Sequence, residues 1–298
     1  MREASQNSQL HVPVLLSEVL QVLGPKPGES YLDLTAGYGG HAQAILDKTG
    51  ATDKAVLVDR DSNATNELSK KFGSSGTDIR QQDFLSASKK LAEEGRQFEL
   101  ILADLGVSSP HLNHPERGFA LASSGPLDMR MDQSQTLSAA TIVNSYSEDQ
   151  LTDLLVRYGE EPKARAIAHL IVRNRPIATT TELASVVAKA WPGHSRVHPA
   201  TRTFQALRIA VNDELTLLEQ SLPIWINLLN VGGRLAIISF HSLEDRLVKQ
   251  ALAAQAGNRY DARLQLITKR PLTAGPQELV FNPRARSAKL RAAVKINT

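Results

Sequence analysis

The sequence contains no cysteine. That excludes disulfides, thiolate metal sites and cysteine nucleophiles together. Aromatic residues make up only 5% of the chain, which leaves little capacity for extensive base stacking. No apolar run reaches membrane-spanning length. The start, MREASQNSQLHVP, lacks the basic-then-apolar order of a secretory signal. A soluble, cytoplasmic protein is the expectation. There is no internal repeat and no low-complexity tract.

What is present is a chain of 298 residues, 42% hydrophobic, enough for one large domain or two modest ones. The net charge of +3 is unevenly spread. Residues 1–110 carry a net −4, residues 111–258 are balanced, and residues 259–298 carry +7. A basic end on an acidic half suggests a polyanionic partner, most simply nucleic acid.

The chain is organised around Ser30–Ala42, SYLDLTAGYGGHA. A short β-type run enters a glycine turn, and an amphipathic helix follows. This is how an α/β fold brings backbone close to a nucleotide-like ligand. Strands are expected at 30–35, 54–59, 79–82 and 98–104, with helices between them at 41–49, 62–72 and 86–94. A further helix is expected at 11–23. Strands alternating with helices imply a parallel, doubly wound sheet. The rhythm breaks at Leu105. Residues 105–135 read as loop, and 136–215 as helices only: 136–144, 148–158, 163–175, 180–190 and one long helix over 201–220. The α/β pattern resumes with a helix near 223–230, a turn at Val231-Gly232-Gly233, a strand over 234–240 and a helix over 242–255. Two final strands, 264–269 and 290–296, are joined by a loop.

In open α/β sheets, ligands bind beyond the carboxyl ends of the strands. Here the first strand ends in the glycine turn, the second in Asp59, the third in Gln82-Asp83-Phe84, and the fourth in Asp104. Asp59 follows Gly39 by twenty residues, the spacing of a carboxylate that holds ribose hydroxyls. Asp83 and Phe84 could flank an adenine. The turn is not G-x-G-x-x-G, and no Walker lysine follows it. Asp33, just before the glycines, would repel a phosphate and suits a cationic or amino-bearing ligand such as S-adenosylmethionine.

Motifs spanning the chain then carry a specific resemblance. They are His11-Val12-Pro13-Val14-Leu15-Leu16, Gly37-Tyr38-Gly39-Gly40-His41 and Asp104-Leu105-Gly106-Val107-Ser108-Ser109-Pro110. Glu116-Arg117-Gly118-Phe119, Gly125-Pro126-Leu127-Asp128-Met129-Arg130-Met131-Asp132 and Tyr158-Gly159-Glu160-Glu161 come next. His198-Pro199-Ala200-Thr201-Arg202-Thr203-Phe204-Gln205, Val211-Asn212-Asp213-Glu214-Leu215, Gly232-Gly233-Arg234-Leu235 with Ile238-Ser239-Phe240-His241-Ser242-Leu243-Glu244-Asp245-Arg246, and Asn282-Pro283-Arg284-Ala285-Arg286-Ser287 complete the set. In these motifs, and in their order, the chain resembles the bacterial 16S ribosomal RNA cytosine-N4 methyltransferase family (RsmH, also called MraW).

The resemblance implies a class I, Rossmann-like S-adenosylmethionine methyltransferase sheet over 1–110 and 216–298. It also implies an inserted all-helical domain over 111–215 that helps hold RNA of the small ribosomal subunit. The cofactor's methionine end would meet Gly39, Gly40 and His41. Asp59 would take the ribose hydroxyls, Phe84 would border the adenine, and Asp104 would lie beside the cofactor. The family usually has a glutamine after Ser-Ser-Pro; this chain has His111 there.

For the chemistry, Asp104 is the expected acceptor of the N4 proton, with Asp128 and His241 as rivals. Methylation at cytosine C5 ordinarily needs a cysteine nucleophile, so a nitrogen target fits a cysteine-free chain better. His241 could equally be a strand-end residue entering a helix, with Ser242 and Asp245 as its capping box. His111 and His114 lack a third ligand in suitable spacing, so no metal is expected. A homodimer is a candidate assembly. The competing readings are a methyltransferase of another RNA amino group, a catalytically silent ribosome-assembly factor, and a nicotinamide-dependent oxidoreductase.

Overall fold

In the computed structural model, the described residues are 13–107, 112–193, 197–257 and 261–298. They fall into two compact units: Met1–Leu105 with Ser221–Thr298, and Gly106–Gln220.

The first unit is an α/β sandwich. Helix α1 (Leu16–Leu23) precedes strand β1 (Tyr31–Asp33). Helix α2 (Gly40–Thr49), β2 (Ala55–Asp59), α3 (Ser62–Phe72), β3 (Asp78–Gln81), α4 (Phe84–Glu93) and β4 (Phe98–Asp104) follow in strict alternation. After the second unit come β5 (Leu229–Ser239), α11 (Ser242–Gln255), β6 (Leu264–Leu266), α12 (Pro276–Phe281) and β7 (Lys289–Lys295). The seven strands form one sheet in the order β3-β2-β1-β4-β5-β7-β6. β1 to β5 run parallel, and β7 is antiparallel to both β5 and β6. β1 is buried along its length, as are four of the five residues of β2, because helices cover both faces.

The core follows from those apolar runs. Tyr31, Leu57, Leu100, Leu102, Ala236 and Leu290 of the sheet meet Val19 and Leu23 of α1 and Ile45 of α2. Each large apolar side chain so buried contributes about 1.5–3 kcal/mol relative to exposure. Arg234 of β5 donates to both carboxylate oxygens of Glu29 at 2.7 and 2.8 Å and to the Leu23 carbonyl at 2.7 Å. These bonds seal the C-terminal end of α1 against the sheet.

The second unit holds helices α5 (Ala139–Ser145), α6 (Glu148–Gly159), α7 (Ala164–Arg173), α8 (Thr180–Ala188) and α9 (Thr201–Asn212). Its own core includes Ile142, Leu151, Leu155, Ile167, Ile171, Leu183 and Leu207. α6 and α9 approach closely at Gly159, where a Cβ would stand 2.9 Å from the Arg202 carbonyl.

Three expectations need correction. The long helix over 201–220 is broken at Asp213, which takes φ 49°. A new helix, α10 (Glu214–Asn227), starts there and runs through Pro223, so no separate helix begins near 223. Arg208 clamps the break with a two-pronged ion pair to Glu214, 2.8 Å on each arm. Strand β5 begins at Leu229, ahead of the expected turn. Its register with β4 shifts at a bulge, and a Cβ on Gly233 would stand 2.9–3.2 Å from three backbone carbonyls there. The stretch before β7, expected as loop, contains α12, which begins at Pro276 in the first-turn position.

Candidate active site

The site grows from the turn between β1 and α2. Asp33 ends β1 with its side chain buried, accepting from the Tyr31 hydroxyl at 2.6 Å and the Thr35 backbone N–H at 3.2 Å. Burial pushes its carboxyl up to about 6, against the opposing pull of those two donors and of His41. Burial likewise pushes the Tyr31 hydroxyl well above its ordinary value. The expected negative charge ahead of the glycines is thus present, but it is engaged inside the protein.

Asp59, at the end of β2, organises the turn. One oxygen accepts from the Gly37 N–H at 2.8 Å and the other from the Asp61 N–H at 2.9 Å. Asp104, at the end of β4, is tied to the same turn, its backbone N–H donating to Thr35 Oγ1 at 2.6 Å. Strand ends one, two and four therefore converge on Thr35–His41.

The glycines serve the protein's own packing. Gly39 takes φ 76°, and a Cβ on it would stand 2.7 Å from the Phe72 ring. A Cβ on Gly40 would stand 2.5 Å from Pro13 Cγ. Besides the positive φ expected of a glycine turn, α3 packs against Gly39 and Pro13 against Gly40.

His41, in the first turn of α2, is 7% exposed. Its Nε2 lies 3.6 Å from Asp104 Oδ2, which is too long for a hydrogen bond. Neither ring nitrogen, nor Asp104 Oδ1, has a hydrogen-bond partner among the described residues. Buried polar atoms without a hydrogen-bond partner are rare in folded proteins, and here three of them sit together. This cradle offers a carboxylate oxygen and two ring nitrogens to a ligand seated on the glycine turn.

At the third strand end, Asp83 caps α4, accepting from the Leu85 and Ser86 N–H groups at 2.9 Å each. Its carboxylate is spent on the helix. Phe84 packs edge-on against Trp225, ring centres 5.5 Å apart, and remains partly exposed.

The remaining candidates lie on other elements. His241 is the N-cap of α11: its Nδ1 accepts from the Glu244 N–H at 3.3 Å, and Glu244 Oε2 accepts back from the His241 N–H at 3.3 Å. The capping box is therefore His241 with Glu244, not Ser242 with Asp245. Asp245 instead accepts from Arg291 at 2.7 Å and Lys289 at 3.2 Å. His111 lies outside the described residues.

Asp128 belongs to the helical unit. Burial raises its carboxyl, but Arg130 gripping both oxygens at 2.8 Å outweighs this and holds it below the usual carboxylate range. The loop around it crosses itself. A Cβ on Gly118 would stand 2.2 Å from the Pro126 carbonyl, and one on Gly125 would stand 1.8 Å from that of Pro115. Arg117 donates to the Arg130 and Met131 carbonyls, and Asn212 bonds Met129 and Met131. Three of the motifs quoted above thus build one loop that presents the Asp128–Arg130 pair. Sequence reading missed Arg130 as Asp128's partner. Their spacing of two gave no signal, because the pairing depends on Met129 between them taking a left-handed φ of 60°.

A parallel sheet with its antiparallel β7 inserted beside β5, and carboxylates closing a glycine turn from β2 and β4, define a class I methyltransferase. Comparison with known proteins sharpens this. The chain belongs to the MraW methylase family, which matches residues 8–296. It is 48% identical over 289 residues to the ribosomal RNA small subunit methyltransferase H of Cyanothece sp., covering 97% of this chain and 95% of that one. Proteins of the same name in Gloeobacter violaceus and Heliobacterium mobile are 48% and 44% identical. Those alignments cover 99% and 96% of this chain and 91% and 99% of theirs.

Proposed function

We propose that this chain methylates 16S ribosomal RNA of the small subunit at the exocyclic N4 of a cytidine in the decoding centre, with S-adenosylmethionine as donor. The observation that carries this reading is the unsatisfied His41–Asp104 cradle on the glycine turn. It suits a ligand that brings both donors and acceptors, as the methionine end of the cofactor does. Gly39, Gly40 and His41 hold that end, Asp59 the ribose, and Phe84 one face of the adenine.

When bound, the donor supplies a sulfonium methyl, a strong electrophile. The cytosine amine is a weak nucleophile, because its lone pair is delocalised into the ring. The protein's work is therefore alignment and proton removal. Asp104 ends β4 beside the turn with its side chain partly exposed, and takes the proton that N4 loses as the nitrogen–carbon bond forms. Asp128 and His241 are weaker candidates, since each is already engaged, by Arg130 and by Glu244 respectively.

A paired cytosine hides N4, so the substrate base is single-stranded or turned out of its helix. The basic C-terminal stretch and the arginines of the helical unit carry the phosphate contacts. No helix among the described residues is long and apolar enough to cross a membrane; the enzyme meets its ribosomal substrate in the cytoplasm.

The reading is tested with D104N, a substitution that keeps shape and removes the base. Single-turnover methyl transfer to small subunits lacking the modification should fall at least a hundredfold. Transfer is measured at cofactor concentrations that saturate the variant, as calorimetry with S-adenosylhomocysteine defines them, so that any loss of cofactor affinity at the cradle does not enter the comparison. Full transfer by D104N would exclude Asp104 as the acceptor.

A further inference from the structure

α12 presents the most exposed large apolar side chains of the described residues. Phe281 is 83% exposed and Val280 is 74% exposed. The element carrying them is not loose. Leu279 packs into the core of the first unit, and Glu278 accepts from the Leu15 N–H at 2.8 Å. The Asn282 N–H closes the helix onto the Glu278 carbonyl at 2.7 Å, and Ala285 follows buried. Phe281 is held outward on a fixed mount.

That mount adjoins the glycine turn. The segment whose Leu15 bonds Glu278 is the same one whose Pro13 lies against Gly40. It also lies in the most basic part of the chain. Arg284 and Arg286 follow within five residues of Phe281, Arg286 exposed. Leu272 bridges to Leu290, which brings the stretch after exposed Lys269 and Arg270 alongside β7.

We propose that Phe281, backed by Val280, is a stacking platform for an unpaired base of single-stranded RNA, with Arg286 serving its phosphate. An outward aromatic ring among arginines has the chemistry that single-stranded nucleic acid needs: a π face for the base and cations for the backbone. A second copy of the chain fits less well. A stable dimer buries about 800 Å² per partner, far more than one ring and one valine offer. A lipid surface fits less well too, because a six-residue helix has no extended apolar face to lay into a bilayer.

The proposal rests on the reading of the chain as an RNA methyltransferase, and the experiment separates the two. Full-length wild type, F281A and F281W are titrated against a labelled single-stranded oligoribonucleotide of about twelve residues. F281A should bind about tenfold more weakly, the lower part of the range for one base on one ring. F281W should bind as wild type does, and its added tryptophan fluorescence should be quenched by the RNA. All three should bind S-adenosylhomocysteine equally and melt together. Wild-type RNA affinity in F281A would overturn the platform. So would an RNA-independent effect of F281A on sedimentation mass or on binding to phosphatidylserine vesicles. If wild type transfers no methyl to small subunits while the F281A and F281W pattern holds, the platform stands and the methyltransferase reading fails.

Discussion

His41 Nε2 lies 3.6 Å from Asp104 Oδ2, beyond hydrogen bonding, and the histidine side of the pair is walled off from solvent. Both ring nitrogens of His41 and Oδ1 of Asp104 have no hydrogen-bond partner among the described residues. A ligand that serves them gains the bonds without first breaking others. H41A should therefore weaken S-adenosylhomocysteine binding about tenfold to a hundredfold, as loss of a hydrogen bond to a charged or polarised group does. Calorimetry reads this directly. The melting temperature should also fall, as for a large-to-small change at a buried position, so binding is compared at temperatures where both proteins are folded.

Gly40 and Pro13 test whether the glycine turn is shaped from within. G40A should destabilise the protein by about 1–3 kcal/mol, since the new methyl must displace the Pro13 ring. P13A removes the Cγ that would clash. The double variant should recover most of the loss, giving a coupling energy measurable by urea unfolding. G39A should stay destabilised in every background, because its φ of 76° is unfavourable to alanine whatever surrounds it.

Asp33 and Asp245 should give opposite pH signatures. Asp33 titrates near 6 when folded, above its unfolded value of about 3.8. The native state then binds the extra proton between those values, so this group's contribution is complete below about pH 4 and lost as pH rises through 6. D33N should narrow the difference in stability between pH 5 and pH 8. Asp245 is raised by burial, but Arg291 and Lys289 more than compensate and hold it below the ordinary value. Its contribution is present at neutral pH and lost as pH falls through that lowered value. D245N should cost about 1–3 kcal/mol at pH 7, with the gap closing in acid. Thermal melts from pH 3 to 8 check both signs.

RNA binding should weaken steeply with salt, since each phosphate contact releases a counterion. An affinity unchanged between 50 and 200 mM salt, measured by fluorescence anisotropy, would count against the basic stretch as a phosphate-binding face.

Most of the sheet was legible because its residues obey one rule at a time. Phe98–Asp104 is an unbroken aliphatic run ending in an acid, and the strand has those bounds. Ser62–Phe72 and Ser242–Gln255 were bounded by polar starts and apolar periodicity, and both helices have those bounds. Asp213 was not legible. Neither glycine nor proline marks it, and the break depends on an aspartate accepting φ 49° while Arg208 and Glu214 clasp across it. α12 was missed because six residues are too few to show a period. At the site, the carboxylates at the ends of β2 and β4 were readable from their positions alone. The role of His241 as a cap was not, because histidine is an uncommon N-cap and its partner Glu244 also has to reach back. The glycine turn was legible from its glycines; that Gly39 and Gly40 must also admit Phe72 and Pro13 was not, because those contacts are made by distant parts of the chain.

The central claim is that the cradle at Asp104 delivers a methyl group to a cytosine amine. It is tested most directly by incubating the full chain with methyl-labelled S-adenosylmethionine and small ribosomal subunits that lack the modification, then digesting the RNA and separating its nucleosides. The label should appear in N4-methylcytidine and should be lost with D104N. Label in 5-methylcytidine, in a ribose-methylated nucleoside or in no nucleoside at all would contradict the account.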